Sequence, residues 1–128
     1  MKYAYTLFFL IFVKSVFAFD IIDDVASTFK NGNANDIAKY FSTTVELAII
    51  DQEDIYSSNQ ATFILKDFFA KHPPISAKVI HKVTSNPNYK FGVILLTTTN
   101  ANYRISIELK SNANKFQLSQ IRIEENKE

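Results

Sequence analysis

The 128-residue sequence contains no cysteine, and it has only two glycines and three prolines. The absence of cysteine excludes a disulfide scaffold, a thiolate zinc site, a cysteine nucleophile and a lipid-modified lipoprotein N-terminus. Gly32 and Gly92 lie far apart in the sequence, so there is no glycine-rich loop that could hold a phosphate. The net charge of +1 gives no electrostatic reason to expect a nucleic-acid partner.

What is present is the composition of one folded domain. Apolar residues make up 47% of the chain and charged residues 21%, which is too apolar for a disordered protein. The length is that of a single domain, and no repeat or low-complexity tract divides it. These observations predict one buried core but name neither a ligand nor a reaction.

Residues 1–18 have the features of a cleavable signal peptide. Lys2 supplies a basic start, an unbroken apolar run follows, and small or modest side chains precede the cleavage site predicted after Ala18. A membrane anchor is the alternative, but a bilayer span needs about 20 apolar residues and Lys14 interrupts this run. We therefore predict a single mature domain, residues 19–128, that is secreted or periplasmic.

The first part of that domain predicts two helices. Residues 20–30 carry apolar side chains at helical spacing, and Asn31-Gly32 supplies a left-handed stop. Asn35 is the expected cap of a second, short helix that continues to Phe41. The apolar stripe of the first helix is formed by Ile21, Ile22, Val25, Ala26 and Phe29.

The clearest helical signal comes later in the chain. Ser57 and Gln60 have the spacing of a capping box, and Pro73-Pro74 ends the helix because the residue before a proline is pushed out of helical conformation. The apolar stripe between these points is formed by Ala61, Ile64, Leu65, Phe68 and Phe69.

Alternating apolar residues predict a strand hairpin and then a four-stranded meander. The hairpin has a strand ending near Ile49, a turn over residues 51–54 and a short return strand at Ile55-Tyr56. In the last meander strand the apolar phase slips, and one extra residue near Ser119-Gln120 would explain the slip as a β-bulge. The meander strands are predicted at residues 75–83, 91–99, 103–110 and 116–123.

The turn positions also predict which side chains face the helices. A turn centred on residue 87 pairs His81 with Val93, and a turn centred on residue 101 pairs Leu95 with Ile107. On this register the odd-numbered residues of the first three meander strands face inward, and Ile80, Ile94 and Leu96 point outward. The last strand is predicted to face inward with Phe116, Leu118, Ile121 and Ile123. We predict an α+β fold in which three helices pack on the concave face of a curved antiparallel sheet.

The order helix, helix, strand hairpin, helix and bent meander resembles the cone-shaped nuclear transport factor 2-like superfamily. Residues 20–125 more closely resemble a secreted family from Bacteroidetes, domain of unknown function 4783. The resemblance implies a fold and a compartment but no activity, because the family has none assigned and the superfamily is functionally diverse. The matching segments are Val45-Glu46-Leu47, Tyr56-Ser57, Gln60-Ala61, Ile64 to Phe69, Pro73-Pro74, Tyr103-Arg104 and Gln120 to Glu124.

An isomerase of this superfamily needs a carboxylate base inside the cone. The predicted concave face carries no aspartate or glutamate, so we expect a non-catalytic domain. A helix could still supply a base, for example Asp36 or Asp67, but both are interpreted as solvated. Two histidines and no cysteine argue against a catalytic metal site, and no motif for a cofactor is present, so we expect neither.

Four polar or aromatic residues are the candidates for a ligand pocket: His81, Tyr103, Thr97 and Tyr40. His81 could be a general base or a pocket donor, or a rim histidine satisfied by the backbone. His81 and Tyr103 lie about 20 Å apart on the predicted sheet, so they cannot form a catalytic dyad. His72 has no visible partner in the sequence.

Three functions remain open from the sequence. The favoured one is non-catalytic binding of a small apolar ligand or of a protein partner, and the alternatives are an enzyme acting on a hydrophobic small molecule and a structural homodimer. Ile80, Ile94 and Leu96 form the predicted outer patch through which a homodimer would associate. A cone filled by Phe63, Phe68, Phe69 and Tyr40 would favour a surface function over an internal ligand.

Overall fold

The computed structural model describes residues 20–127, which form three helices and a six-stranded, unclosed, curved sheet. This confirms the predicted α+β fold; the predicted signal peptide lies outside the described residues. No helix within residues 20–127 is both long enough and apolar enough to cross a bilayer. The elements are α1 (Ile21–Lys30), α2 (Ala34–Ala38), β1 (Phe41–Ile49), β2 (Gln52–Ser57), α3 (Ser58–Lys71), β3 (Pro74–Val83), β4 (Tyr89–Thr98), β5 (Asn102–Asn112) and β6 (Lys115–Glu125).

Helix α1 begins and ends where the sequence predicts. The Asp20 carboxylate accepts a hydrogen bond from the backbone N–H of Asp23 at 3.0 Å, which caps the first turn. Gly32 has a φ of +63°, a conformation that ends the helix at no steric cost to glycine. Helix α2 differs from the prediction, because Asn33 and not Asn35 caps it. Phe41 is the first residue of β1 and not the end of the helix.

Helix α3 confirms the predicted capping box. The Ser57 hydroxyl accepts from the Gln60 N–H at 3.2 Å, and the Gln60 amide oxygen accepts from the Ser57 N–H at 3.1 Å. The helix ends at Lys71, before the two prolines. Its buried side chains are Ala61, Leu65, Phe68 and Phe69.

The strand order in the sheet is β2-β1-β6-β5-β4-β3. All neighbours are antiparallel except β1 and β6, which run parallel. The β1–β2 connection is tighter than predicted, because Ile49 already pairs with Gln52 and only Ile50 and Asp51 lie between them. Ile50 adopts a φ of +56°, which is unusual for a β-branched residue.

The predicted bulge in the last strand is confirmed. Glu108 pairs with Gln120 and Leu109 pairs with Leu118, which leaves Ser119 as the extra residue of β6. The Ser119 hydroxyl donates to the Glu108 carbonyl at 3.2 Å. The bulge lets Leu118 and the later apolar residues of β6 all enter the core despite their slipped spacing.

The predicted β4–β5 register is wrong. Ile94 pairs with Ile105, and Gly92, not Leu95, pairs with Ile107. The shift is by an odd number of residues, which moves the side chains of β4 to the opposite face of the sheet. The cause is the turn: the Thr98 N–H already bonds to the Ala101 carbonyl at 2.9 Å, so the chain reverses earlier than predicted.

A second departure lies in β3. Val79 pairs with Ile94 and His81 pairs with Val93, so Ile80 is an extra residue in this strand. The pairing of His81 with Val93 is as predicted, but the bulge changes the phase of the strand. Ala77 and Val79 therefore face the core, whereas His81 and Val83 share the outer face of the sheet with Val93 and its neighbours.

Aromatic side chains fill the space between the helices and the concave face. The ring centroids of Phe29 and Phe69 are 6.0 Å apart, and those of Phe68 and Phe69 are 5.6 Å apart, both in edge-to-face geometry. Phe63 does not contribute, because 74% of it is exposed on the outside of α3. Tyr40 is partly buried at the margin of the core. Phe68 and Phe69 thus occupy the interior that an internal ligand would need.

Candidate functional site

The four predicted pocket residues do not come together. Tyr103 is buried in the core with 3% of its surface exposed, and Tyr40 lies at the end of α2. Thr97 and His81 were predicted on the concave face, but both lie on the outer face because of the register shift in β4 and the bulge in β3. Two of the four residues therefore cannot contribute to a pocket under the helices.

The predicted outer patch is also incorrect. Ile94 and Leu96 are fully buried between the sheet and the helices, since their strand faces the opposite way from the prediction. Ile80 is exposed, but it is the unpaired residue of the β3 bulge and has neither of the other two beside it on the outer face. The three residues therefore do not form one outer patch, because Ile94 and Leu96 are buried in the core.

The outer face has a different apolar strip, which we call the β4 strip: Tyr89, Phe91, Val93 and Leu95. Phe91 and Leu95 are half-buried, and Val93 is buried by its neighbours. The His81 ring lies beside the strip, 6.5 Å from the Phe91 ring centroid. A shallow pocket of about 240 Å³ adjoins Phe91 and is lined further by Ser106, Ile107, Glu108, Gln120 and Arg122.

Charged residues of both signs surround the β4 strip. On β5 and β6, Arg104 stands opposite Glu124, and Arg122 stands opposite Ser106. Arg122 also donates to the Glu53 carboxylate at 2.6 Å. An apolar strip with a mixed-charge margin has the general anatomy of a protein contact surface.

A larger cleft lies between the helices and the β5–β6 turn, and we call it the helix–hairpin cleft. Its volume is about 630 Å³. Tyr40 is one of its walls, fixed by its carbonyl, which accepts from the Leu118 N–H at 2.6 Å. The lining residues are Ile21, Thr28, Asp36, Lys39, Tyr40, Asn114, Lys115 and Phe116.

The β5–β6 turn forms the other wall of the cleft. Ala113 and Asn114 both have positive φ, 52° and 66°, as a two-residue hairpin turn of type I′ requires. Phe116 follows the turn and packs partly against the core. The Lys90 ammonium lies 5.0 Å from the centre of the Phe116 ring, in cation–π geometry.

The helix–hairpin cleft holds one carboxylate, which is neutralised. Asp36 Oδ1 lies 3.1 Å from Lys39 Nζ; the lysine side chain is largely exposed and the Asp36 side chain is 41% exposed. The only other helix acid considered as a base, Asp67, likewise pairs with Lys71 at 3.0 Å. A carboxylate that acts as a general base on a carbon acid needs a desolvated environment. Neither Asp36 nor Asp67 lies in such an environment.

His72 has partners that the sequence did not reveal. Its Nδ1 lies 2.9 Å from the Asn100 amide oxygen and 3.2 Å from the Tyr103 hydroxyl. The Asn100 amide nitrogen donates to the Lys71 carbonyl at 3.2 Å, which fixes the amide orientation. Because the amide oxygen only accepts, the His72 Nδ1 carries the proton and donates it. Asn100 lies in the β4–β5 turn and Tyr103 at the start of β5, both distant in sequence, so no local sequence signal could show these partners.

Tyr103 is kept protonated by the same surroundings. Burial raises the pKa of its phenol, and the negative charge of Glu125 raises it further. A neutral phenol beside His72 is a hydrogen-bonding group and not a nucleophile. Within residues 20–127, no three histidine, aspartate or glutamate side chains converge as a metal site.

Comparison with known proteins agrees with this architecture. Residues 22–124 match the family described as Domain of unknown function (DUF4783). A crystal structure of a DUF4783 family protein from Bacteroides uniformis is 28% identical, with a TM-score of 0.81, and covers 85% of this chain and 100% of its own. No curated protein matches the chain.

More distant structures share the fold alone. A cystatin-like domain of unknown function from Nostoc punctiforme is 9% identical, with a TM-score of 0.64, and covers 80% of this chain and 70% of its own. A chain named Rd1NTF2_05 is 11% identical, with a TM-score of 0.62, and covers 80% and 92%. The fold is therefore of the cystatin-like and nuclear transport factor 2-like type, as the order of elements predicts.

Proposed function

The chain belongs to the DUF4783 family, and from that premise we propose that it is an exported, non-catalytic domain that associates with a protein through the outer face of its sheet. The observation that carries the proposal is the β4 strip, where Phe91 and Leu95 remain half-exposed beside a charged margin. The filled interior supports it too, because Phe68 and Phe69 occupy the space that an internal ligand would need.

A second copy of the chain is the partner that the charges favour. The margin carries cations such as Arg104 and anions such as Glu108 and Glu124 on the same face. A two-fold axis places each patch against itself, so a face with both signs can form ion pairs across such an interface. A strongly one-signed face would instead repel its copy.

Neither of the two helix carboxylates considered as a base is desolvated, which supports a non-catalytic function. Asp36 and Asp67 are each held by a lysine of the same helical turn and remain exposed to solvent. The buried Tyr103 phenol is engaged with His72. Association is therefore the activity for which the described residues are arranged.

The association is tested by sedimentation velocity on residues 19–128. The wild-type domain should sediment as a dimer, and Leu95→Lys should sediment as a monomer with an unchanged circular dichroism spectrum. Phe63→Lys is the matched control, because Phe63 is exposed on α3, away from the outer face, and its replacement should leave the dimer intact. A monomeric wild type, or a dimeric Leu95→Lys variant, would overturn the proposal.

Export is tested separately, since it depends on residues 1–18. The full chain should be recovered from the periplasm or the medium of an expressing bacterium. Mass spectrometry of that material should show Phe19 as the first residue. Recovery of the intact chain from the cytoplasm would contradict the export proposal without affecting the sedimentation result.

A further inference from the structure

We propose that the helix–hairpin cleft is a second, independent site, which binds a small amphipathic anion: an apolar body that carries one carboxylate. The cleft opens between α1, α2 and the β5–β6 turn, whereas the proposed association uses the outer face of the sheet. Its volume of about 630 Å³ lies in the range of small-molecule sites.

The apolar part of such a ligand has preformed walls. Ile21, Tyr40 and Phe116 line the cleft, and each is partly buried and packs against the core. Tyr40 is also held by its backbone, since its carbonyl accepts from Leu118 and its N–H donates to Ile37. Walls that are ordered before binding reduce the entropy that a ligand loses in ordering its site.

The charge of the cleft favours an anion. Lys39 and Lys115 line it, and the Lys90 ammonium lies over the Phe116 ring at its edge. Asp36 compensates Lys39 in an ion pair. Lys115 is in no ion pair with any residue of 20–127, so it is the uncompensated charge of the lining.

One polar group of the lining limits where the carboxylate of the ligand can lie. The Thr28 hydroxyl donates to the Val25 carbonyl at 2.6 Å, so it can only accept a further hydrogen bond and cannot bind a carboxylate. The lining therefore fits a ligand whose single negative group pairs with Lys115 and whose apolar body packs against Tyr40 and Phe116.

The test titrates residues 19–128 with decanoate, followed by backbone amide NMR shifts. Decanoate should shift amides of α1, α2 and the β5–β6 turn, and decanol should bind more weakly. Lys115→Glu should weaken decanoate binding about tenfold, because it replaces an attractive charge by a repulsive one. Lys66→Glu makes the same charge change on the exposed side of α3, outside the cleft lining, and should leave the dissociation constant unchanged.

Three outcomes would overturn this site. Decanoate shifts confined to the groove at Tyr56 and Phe63 would show unspecific binding to exposed apolar surface. Equal decanoate affinities of wild type and Lys115→Glu would contradict the proposed preference for an anionic ligand. Equal affinities of wild type for decanoate and decanol would contradict it as well. Because Lys115→Gln keeps a side chain of similar polarity without charge, it should show an intermediate affinity, and its sedimentation should match wild type.

Discussion

The phenol oxygen of Tyr103 lies 3.2 Å from Nδ1 of His72, although 31 residues separate them in the chain. The contact joins the C-terminal end of α3 to the start of β5. Phe68 packs between the two elements, with its ring centroid 5.1 Å from that of Tyr103 and 4.9 Å from that of His72. The end of the helix is thus fixed to the sheet by both apolar and polar contacts.

Tyr103→Phe should lower the free energy of unfolding by about 1 kcal/mol, the usual net contribution of one hydrogen bond. The packing of the ring on Phe68 is kept, so only the hydroxyl contact is lost. Urea denaturation followed by circular dichroism measures the change. Tyr56→Phe is the matched control, because the Tyr56 hydroxyl bonds to no residue of 20–127, and it should change stability little. Equal effects of the two substitutions would contradict a stabilising hydrogen bond between the Tyr103 hydroxyl and His72.

Gly92→Ala should destabilise the domain by about 1–3 kcal/mol, because it overpacks the core. A Cβ at this position would lie 2.7 Å from Cγ2 of Ile22, a fully buried and stiff side chain of α1. The thermal midpoint of the variant measures the loss. Ile22→Leu moves the methyl branch of residue 22 away from residue 92. The double variant Gly92→Ala/Ile22→Leu should therefore lose less stability than the sum of the losses in the two single variants. Additive losses would show that the close approach is not the cause.

Ile50→Gly should stabilise the domain by about 1 kcal/mol, because a left-handed conformation costs a β-branched residue energy that glycine does not pay. Ile50 has a φ of +56° and is 55% exposed, so little packing is lost on substitution. Asp51→Gly is the control in the same turn. Asp51 does not have a positive φ, so its replacement should stabilise nothing. Urea midpoints compare the two variants.

Stability should fall at both ends of the pH range because of Lys82, whose ammonium lies 3.1 Å from Asp20 and 2.9 Å from Asp23. Burial alone raises the pKa of Asp20, but the Asp23 N–H and Lys82 outweigh it, and the net pKa is below 3.8. The ionised Asp20 carboxylate therefore contributes to the free energy of unfolding above pH 3.8. This contribution is lost as the pH falls through the lower pKa of the folded state.

At high pH the loss of stability comes from Lys82, whose pKa is shifted in the opposite direction to that of Asp20. The Asp23 carboxylate raises the pKa of Lys82 above 10.5, against the effect of burial, and Asp20 adds to this. The charged Lys82 ammonium therefore contributes to the free energy of unfolding below pH 10.5. This contribution is lost as the pH rises through the higher pKa of the folded state. Asp20→Asn keeps the helix cap but removes the charge, so its unfolding free energy should decline less between pH 5 and pH 3 than that of Asp24→Asn. Equal slopes would contradict the ion pairs.

The positions of α1 and α3 could be predicted from the sequence because their signals are local. The Ser57–Gln60 box and the Gly32 stop each depend on residues within one turn. The bulge at Ser119 was equally readable, since β6 alternates apolar and polar side chains on each side of it. These features needed no knowledge of distant residues.

The register of β4 could not be predicted in the same way. Both of its faces are apolar, with Ile94 and Leu96 on one and Val93 and Leu95 on the other, so alternation does not say which set is buried. The deciding contact is the Thr98 turn, whose hydroxyl bonds within the loop. That error placed Thr97, Ile94 and Leu96 on the wrong faces, and the unpredicted bulge in β3 did the same for His81. Of the predicted pocket residues, Tyr40 lines the helix–hairpin cleft, and its role in binding stays a prediction.

The parallel pairing of β1 with β6 has a consequence for how the chain folds. Strand β1, near the start of the domain, lies between β2 and the last strand, so its second edge stays open until residues 115–125 are available. Contacts this distant in sequence slow folding. A chain emerging vectorially from a translocation channel would therefore hold its first hairpin unprotected until synthesis and passage are nearly complete, and loss of β6 should leave it prone to aggregate.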